Sequence, residues 1–192
     1  MSSAQLKIYN EAKTKIKNEI DKVKLSSNPL AEFIRLRQAT GNPSILTTSN
    51  VPNAKYERAK EIIDECISNG QSVLVFSMFE RIITPFSEFL PHKSELVIGG
   101  MNDDDKFERI NNFTNNKNVN VLCGTVGALG TGFTLTKAST VIFLDSPWTR
   151  GEKDQAEDRV HRIGAESAVN IITLVAKNTA DEVIENIVES IS

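Results

Sequence analysis

Short, continuous apolar runs alternate with helical patterns along most of the chain, and this alternation limits the folds open to it. The runs typical of buried strands are 72–77, 96–98, 119–123, 140–144 and 170–175, and the helical patterns between and around them are 55–69, 78–90, 103–113, 152–163 and 180–191. Strands that are apolar throughout are typical of a parallel sheet covered by helices on both faces. The sequence therefore predicts an α/β fold with a doubly wound parallel sheet.

The first 50 residues follow a different pattern. Apolar residues from Leu6 to Val23 recur at helical spacing among lysines, and a second helix is expected from about Leu30 to Ala39, ending at Gly41-Asn42-Pro43. Residues 1–60 carry 11 basic and 5 acidic side chains, a net +6, whereas 61–192 carry 11 and 20, a net −9. We expect two parts: a helical region with a linker over 1–50 and the α/β domain over 51–192.

Composition excludes several classes of protein. No apolar run approaches the roughly 20 residues that span a bilayer, and the N-terminus lacks a signal peptide's apolar centre, so we expect an intracellular protein without a membrane partner. The two cysteines and two histidines do not have the spacing of a zinc site or a disulfide framework, so no metal site is predicted. The overall net charge of −3, taken alone, argues against a nucleic-acid partner.

In doubly wound sheets ligands bind beyond the carboxyl ends of the strands, which here are the loops after Phe76, Cys123 and Leu144. The loop after Cys123 reads GTVGALGTGFTLT and holds four of the ten glycines, Gly130 and Gly132 among them. Such density allows the backbone to approach a ligand and its N–H groups to bind phosphate. A flexible connection between strand and helix explains the same residues about equally well.

The second unusual stretch is QAEDRVHRIGA, residues 155–165. On a helix Gln155, Arg159 and Arg162 stand at i, i+4 and i+7, so that one face presents an amide and two guanidinium groups. Guanidinium groups match phosphate oxygens in two-point contacts, which points to a polyphosphate. The alternative is a solvated face on which neighbouring acidic residues pair with the arginines. His161 is given no acid–base role.

These residues carry a family resemblance. QAEDRVHRIGA resembles motif VI of superfamily-two helicases, in the form found in Snf-type (sucrose-non-fermenting) ATP-dependent DNA translocases. In the same order, SVLVFSMF resembles their motif IV, GTVGALGTGFTLTKASTVIFLD their motif V, Asp145-Ser-Pro-Trp148 their motif Va, and LRQATGNPSIL the pattern of their helical protrusion. The resemblance covers nearly the whole chain, and it implies a RecA-like lobe with an N-terminal helical protrusion.

The resemblance also implies functional roles. Arg159 and Arg162 would be arginine fingers directed at ATP, with Gln155 and the backbone at Gly130 and Gly132 completing the nucleotide site. DNA-contacting positions of the family match Ser77, Thr125 and Trp148, and a core or hydrophobic-contact role for Trp148 is equally open. The implied cofactor is ATP with Mg²⁺, and the implied partners are double-stranded DNA and a first RecA-like lobe.

The chain contains no Walker A sequence, and its nearest acidic motif, Asp64-Glu65-Cys66-Ile67, lies within a predicted helix. The resemblance then implies the second lobe of a motor whose first lobe, which binds most of the ATP and Mg²⁺, lies elsewhere. This fragment alone should not hydrolyse ATP. Two alternatives remain: a non-hydrolytic module that binds DNA or protein, and the C-terminal lobe of an RNA helicase.

Overall fold

A computed structural model of the chain describes residues 1–22, 29–45, 52–129, 135–158 and 169–190. The helices are α1 Ser3–Lys22, α2 Pro29–Gly41, α3 Ala54–Ser68, α4 Glu80–Phe89, α5 Asp103–Asn115, α6 Val126–Leu129, α7 Arg150–Asp158 and α8 Ala180–Ser190. The strands are β1 Ser72–Ser77, β2 Ser94–Val97, β3 Val121–Thr125, β4 Ala138–Phe143 and β5 Asn170–Thr173. None of the helices in these ranges is both long and apolar enough to cross a membrane.

The strands form one parallel sheet in the order β2-β3-β1-β4-β5. Every residue of the central strand β1 is buried, which explains its unbroken apolar sequence. Alternate residues face opposite layers: Leu74 and Phe76 pack with residues of α5, α6 and α7, whereas Val73 and Val75 pack with α3 and α4. The predicted doubly wound α/β fold is confirmed.

Strand bounds differ from the sequence prediction by about two residues at several ends. The clearest case is β2, predicted at 96–98 and found at Ser94–Val97. Its second residue, Glu95, is buried, because its carboxylate accepts hydrogen bonds from Arg109 and Asn112 on α5. A charged residue in the middle of a strand breaks the apolar pattern, so the sequence alone misplaced the beginning of this strand.

Local signals explain where α3 begins and ends. The Asn53 side chain accepts hydrogen bonds from the backbone N–H groups of Lys55 and Tyr56, as an N-cap residue does. After Asn69 the chain turns at Gly70, whose φ of 70° favours glycine. The motif beginning at Asp64 lies inside this helix, as predicted, and not at the end of a strand.

The N-terminal helices α1 and α2 pack directly on the α/β part. The Tyr9 hydroxyl accepts a hydrogen bond of 2.9 Å from the backbone N–H of Ala180, at the beginning of α8. The Thr40 hydroxyl, near the end of α2, lies 2.8 Å from Asp181 in the same turn. The linker is predicted over 47–53. Residues 46–51 lie outside the described residues, so the boundary at residue 50 stays a prediction.

Candidate functional site

The carboxyl ends of three adjacent strands, β3, β1 and β4, form one edge of the sheet. Ser77, the last residue of β1, pairs in register with Thr125, the last residue of β3. On the other side Phe76 pairs with Phe143, and β4 runs on into Leu144 and Asp145. The structure therefore brings the loops singled out by the sequence to one edge, as a doubly wound sheet requires.

Asp145 is the buried anchor of this edge. Its carboxylate accepts hydrogen bonds from the Ser77 hydroxyl at 2.5 Å and from the backbone N–H of Met78 at 2.9 Å, and none of the side chain is exposed. Burial raises the pKa of Asp145, while the Lys55 ammonium, the Ser77 hydrogen bond and the Arg37 guanidinium oppose that rise. The carboxylate thus joins the end of β1 to the end of β4.

Ser77 was predicted to contact DNA, but its side chain points inward. It is fully buried, and besides its bond to Asp145 its hydroxyl accepts a hydrogen bond of 3.0 Å from the backbone N–H of Phe79. Thr125, by contrast, is half-buried at the same edge. DNA contact by either residue stays a prediction, and Thr125 is the more accessible of the two.

Arg37 of α2 is a residue of this edge that sequence reasoning did not assign. Its side chain is fully buried, its guanidinium donates to the Ser146 carbonyl, and one of its nitrogens lies 3.8 Å from the Asp145 carboxylate. Burial lowers the pKa of Arg37, and the charge of Asp145 opposes this. The signal available in the sequence was the Leu36-Arg37 pair of the protrusion pattern, which carried no assigned role.

Trp148 lies over this guanidinium. The centre of the Arg37 guanidinium is 4.1 Å from the centroid of the indole and 5.4 Å from that of Phe79, and the Phe33 and Phe79 rings lie 6.5 Å and 6.3 Å from the indole. The indole is half-buried. This packing supports the hydrophobic-contact interpretation of Trp148, and contact with DNA through the exposed part of the ring stays a prediction.

Helix α7 begins at Arg150, directly after Thr149, with a capping box. The Thr149 hydroxyl accepts a hydrogen bond of 3.2 Å from the Glu152 N–H, and the Glu152 carboxylate accepts from the N–H groups of Trp148 and Thr149. Ala156 on this helix is buried in the core, and Gln155 is exposed. The capping box fixes the direction in which α7 leaves the sheet edge.

Four of the predicted site residues, Arg159, Arg162, Gly130 and Gly132, lie outside the described residues, as does His161. Within the described part of the same glycine-rich segment, Gly124 is tightly enclosed: a Cβ there would lie 2.3 Å from Leu129 Cδ1 and 2.6 Å from the Val97 carbonyl oxygen. Gly127 is exposed and has open space around it. The glycine at 124 therefore serves the close packing of α6 on β3.

Metal binding finds no support in the part of the chain that the structure describes. There, no three His, Cys, Asp or Glu side chains lie close enough together to hold a metal ion. Cys66 and Cys123 are both buried and free, and burial raises the pKa of the Cys123 thiol to about 12. A thiol in that state is a poor nucleophile and a poor metal ligand.

Comparison with known proteins identifies the family. Residues 54–164 match the model of the Helicase conserved C-terminal domain, which is more than half of the chain. An "Uncharacterized ATP-dependent helicase" of Mycoplasma pneumoniae is 34% identical over 181 residues, which cover 92% of this chain and 18% of the relative. The human "Chromatin-remodeling ATPase INO80" is 30% identical over 153 residues, covering 78% of this chain and 9% of that protein.

Solved structures give the same result. The Sulfolobus solfataricus SWI2/SNF2 ATPase core domain superposes with a TM-score of 0.79 at 25% identity, covering 99% of this chain and 41% of that one. The same core in complex with dsDNA gives a TM-score of 0.77 at 25% identity, with 99% and 42% covered. The chain thus spans less than half of these cores and about a fifth or less of the curated relatives above. It belongs to the helicase conserved C-terminal domain family, as a C-terminal RecA-like lobe of the Snf-type superfamily-two helicases.

Proposed function

We propose that this chain is the second motor lobe of an ATP-dependent double-stranded-DNA translocase. The observation that carries the proposal is the single sheet edge at which the end of β1, the end of β3, the segment 145–149 and the beginning of α7 meet. Support also comes from the solved SWI2/SNF2 core in complex with dsDNA, with which 99% of the chain superposes.

On the ATP side, Arg159 and Arg162 act as arginine fingers on the nucleotide. As the γ-phosphoryl group is transferred, negative charge spreads over its oxygens, and fixed guanidinium groups in a water-poor cleft stabilise that state. Gln155, exposed on α7, orients the nucleotide and the attacking water. The backbone at Gly130 and Gly132 completes the wall of the cleft.

On the DNA side, the lobe grips one strand of the duplex through its phosphates. Thr125 and the exposed part of Trp148 provide the contacts, and Ser77 contributes by holding Asp145 and thus the segment that follows it. Hydroxyl and main-chain N–H groups can hold phosphates without a net positive charge and without reading the base sequence. A lobe that closes on ATP and opens after hydrolysis can therefore advance along DNA of any sequence.

The partner of this lobe is a first RecA-like lobe, in the same parent chain or in another. That lobe provides most of the contacts to the ATP phosphates and to Mg²⁺, because the Walker A sequence that would make them is absent from the present chain. The motor works inside the cell, wherever its DNA lies. We expect the 192-residue chain alone to show no DNA-stimulated ATP hydrolysis, and robust hydrolysis by the pure chain would refute the need for a first lobe.

The test uses the parent protein with single substitutions of the finger residues. Arg159→Ala or Arg162→Ala is expected to lower DNA-stimulated ATP hydrolysis at least about a hundredfold, because an arginine finger contributes about 10³–10⁵ in rate, while DNA binding is nearly kept. The control is Arg58→Ala, which removes an arginine of α3 whose exposed ion pair with Glu61 has no assigned role and which should leave hydrolysis unchanged. Full turnover in both finger variants would refute the assignment.

A second measurement separates the alternatives. Duplex DNA and duplex RNA are compared as activators of the parent ATPase. Stimulation by DNA supports the translocase, and stimulation by RNA alone indicates an RNA helicase. If neither stimulates hydrolysis although DNA binds, a non-hydrolytic binding module is the better description.

A further inference from the structure

Arg37 reaches from the N-terminal helical region into the sheet edge and contacts two separate parts of it, the segment 145–149 and Phe79. Its guanidinium donates to the Ser146 carbonyl, lies beside the Asp145 carboxylate, and lies against the Trp148 and Phe79 rings, 4.1 Å and 5.4 Å from their centroids. The side chain is fully buried, although arginine is one of the residues least often found in that state. The family model matches residues 54–164, so α2 lies outside the matched region. This helix nevertheless supplies a cation to the centre of the site.

Burying this cation is costly. Within the described residues the Nε and Nη1 atoms of Arg37 have no hydrogen-bond partner, and a buried polar group without a partner destabilises the fold. A buried ionic contact of this kind adds little to stability compared with an apolar side chain of similar volume. What a planar guanidinium adds here is a defined arrangement, since it lies over the Trp148 ring while its Nη2 atom donates to the Ser146 carbonyl and pairs with the Asp145 carboxylate.

We propose that Arg37 is a positioning residue, which fixes Trp148 and the segment 145–149 for DNA contact and sets the direction of α7. This inference rests on the proposed function for its DNA part. Through Ser146 and Trp148, Arg37 holds the residues immediately before the Thr149 capping box, and α7 with Gln155 follows from that box.

The far side of the segment is held independently. The Ser146 hydroxyl bonds the Glu185 carboxylate of α8, and the same carboxylate forms a 3.1 Å ion pair with Lys153 of α7. Replacing Arg37 therefore leaves the segment attached to α8 while removing the support under the indole. We expect a displaced Trp148 in a folded protein and not a general loss of structure.

Trp148 is the only tryptophan of the chain, so its fluorescence reports this position directly. The test compares Arg37→Lys, which keeps the charge but not the planar fork, with the double variant Arg37→Met/Asp145→Asn, which removes both charges together and leaves no unpaired buried carboxylate. The control is Arg109→Met, which removes an ion pair with the buried Glu95 on β2, a strand separated from β4 by β3 and β1. Circular dichroism establishes folding for each variant.

Both Arg37 variants are expected to shift Trp148 emission to longer wavelength, to increase its quenching by acrylamide, and to weaken binding of a short labelled DNA duplex about tenfold. The control should change none of these. Unchanged emission and quenching in both Arg37 variants would overturn the positioning role, and a displaced indole with unchanged duplex affinity would overturn its link to DNA. If the unaltered chain binds no duplex, the DNA grip of the proposed function fails, while the fluorescence still decides whether Arg37 positions Trp148.

Discussion

The Lys55 ammonium at the beginning of α3 donates to the Asp181 carboxylate in the first turn of α8. Both side chains are almost fully buried, and Lys55 also donates to the Leu144 carbonyl at 2.6 Å, at the end of β4. The Thr40 hydroxyl of α2 bonds the same carboxylate. One ion pair therefore joins the N-terminal helical region, the central sheet and the last helix.

Loss of this ion pair should strongly destabilise the chain. Lys55→Met leaves the Asp181 carboxylate buried without its cation, which costs about 3–5 kcal/mol in the free energy of unfolding. The measurement is urea denaturation followed by circular dichroism. Lys60→Met is the control, because Lys60 lies on the same helix and pairs with Asp64 at the surface. Equal destabilisation by the two substitutions would contradict the structure.

Substitution of two glycines of the glycine-rich segment by alanine should change the stability of the chain in opposite directions. Gly124→Ala places a Cβ against Leu129 and the Val97 carbonyl, so we expect a loss of about 1–3 kcal/mol in stability. Gly127→Ala lies in α6 with open space around it and should stabilise the chain by about 0.4–1 kcal/mol. Thermal unfolding of the two variants compares them, and a stabilising Gly124→Ala would show that α6 does not pack as described.

The Thr149 hydroxyl should contribute to stability through the capping box of α7. Thr149→Ala leaves the Glu152 N–H without its acceptor, with an expected cost of about 1 kcal/mol. Thr149→Ser keeps the hydroxyl and should retain most of the stability, as measured by urea denaturation. If serine were as destabilising as alanine, the hydrogen bond would not be the cause.

Stability should decline at alkaline pH, in part because of Cys123. Burial raises the pKa of this thiol to about 12, whereas in the unfolded chain it ionises near about 8.5. The unfolded state therefore releases its proton first, so the thiol's contribution is complete below about pH 8.5 and is lost as the pH rises toward about 12.

Cys123→Ala should flatten this decline. The free energy of unfolding is measured at about pH 8 and at about pH 11 for the unaltered chain and for the variant. The decrease in this free energy between the two pH values should be smaller for the variant. The variant will be less stable at neutral pH, because it loses a buried Sγ, so only the difference between the two pH values is tested. An identical decline in both proteins would show that this thiol does not contribute.

The features that the sequence predicted are those that depend on local pattern. Strand β1 was predicted with the bounds Ser72–Ser77 that the structure shows, because a strand buried on both faces is apolar throughout. The last helix was predicted over 180–191, and α8 begins at Ala180, where the Thr179 and Glu182 side chains accept hydrogen bonds from backbone N–H groups. The meeting of three strand ends followed from the parallel fold.

The features that the sequence did not predict depend on contacts between distant residues. Arg37 and Ser146 are 109 residues apart, and no sequence pattern around either residue indicates that their groups form a hydrogen bond. The end of a strand was identified at Ser77, but the direction of its hydroxyl depends on Asp145, 68 residues later. The charge pattern did not predict the position of Arg37 either. This residue was counted among the basic residues of 1–60, but its side chain is buried against the α/β part.

The two outer strands of the sheet, β2 and β5, have only four residues each. Each exposes few unpaired backbone groups, and β2 also holds the inward-facing carboxylate of Glu95. Short outer strands and inward charges are features by which proteins avoid pairing with the strands of another molecule. We therefore expect a lobe built in this way to resist edge-to-edge aggregation when it is separated from its neighbours.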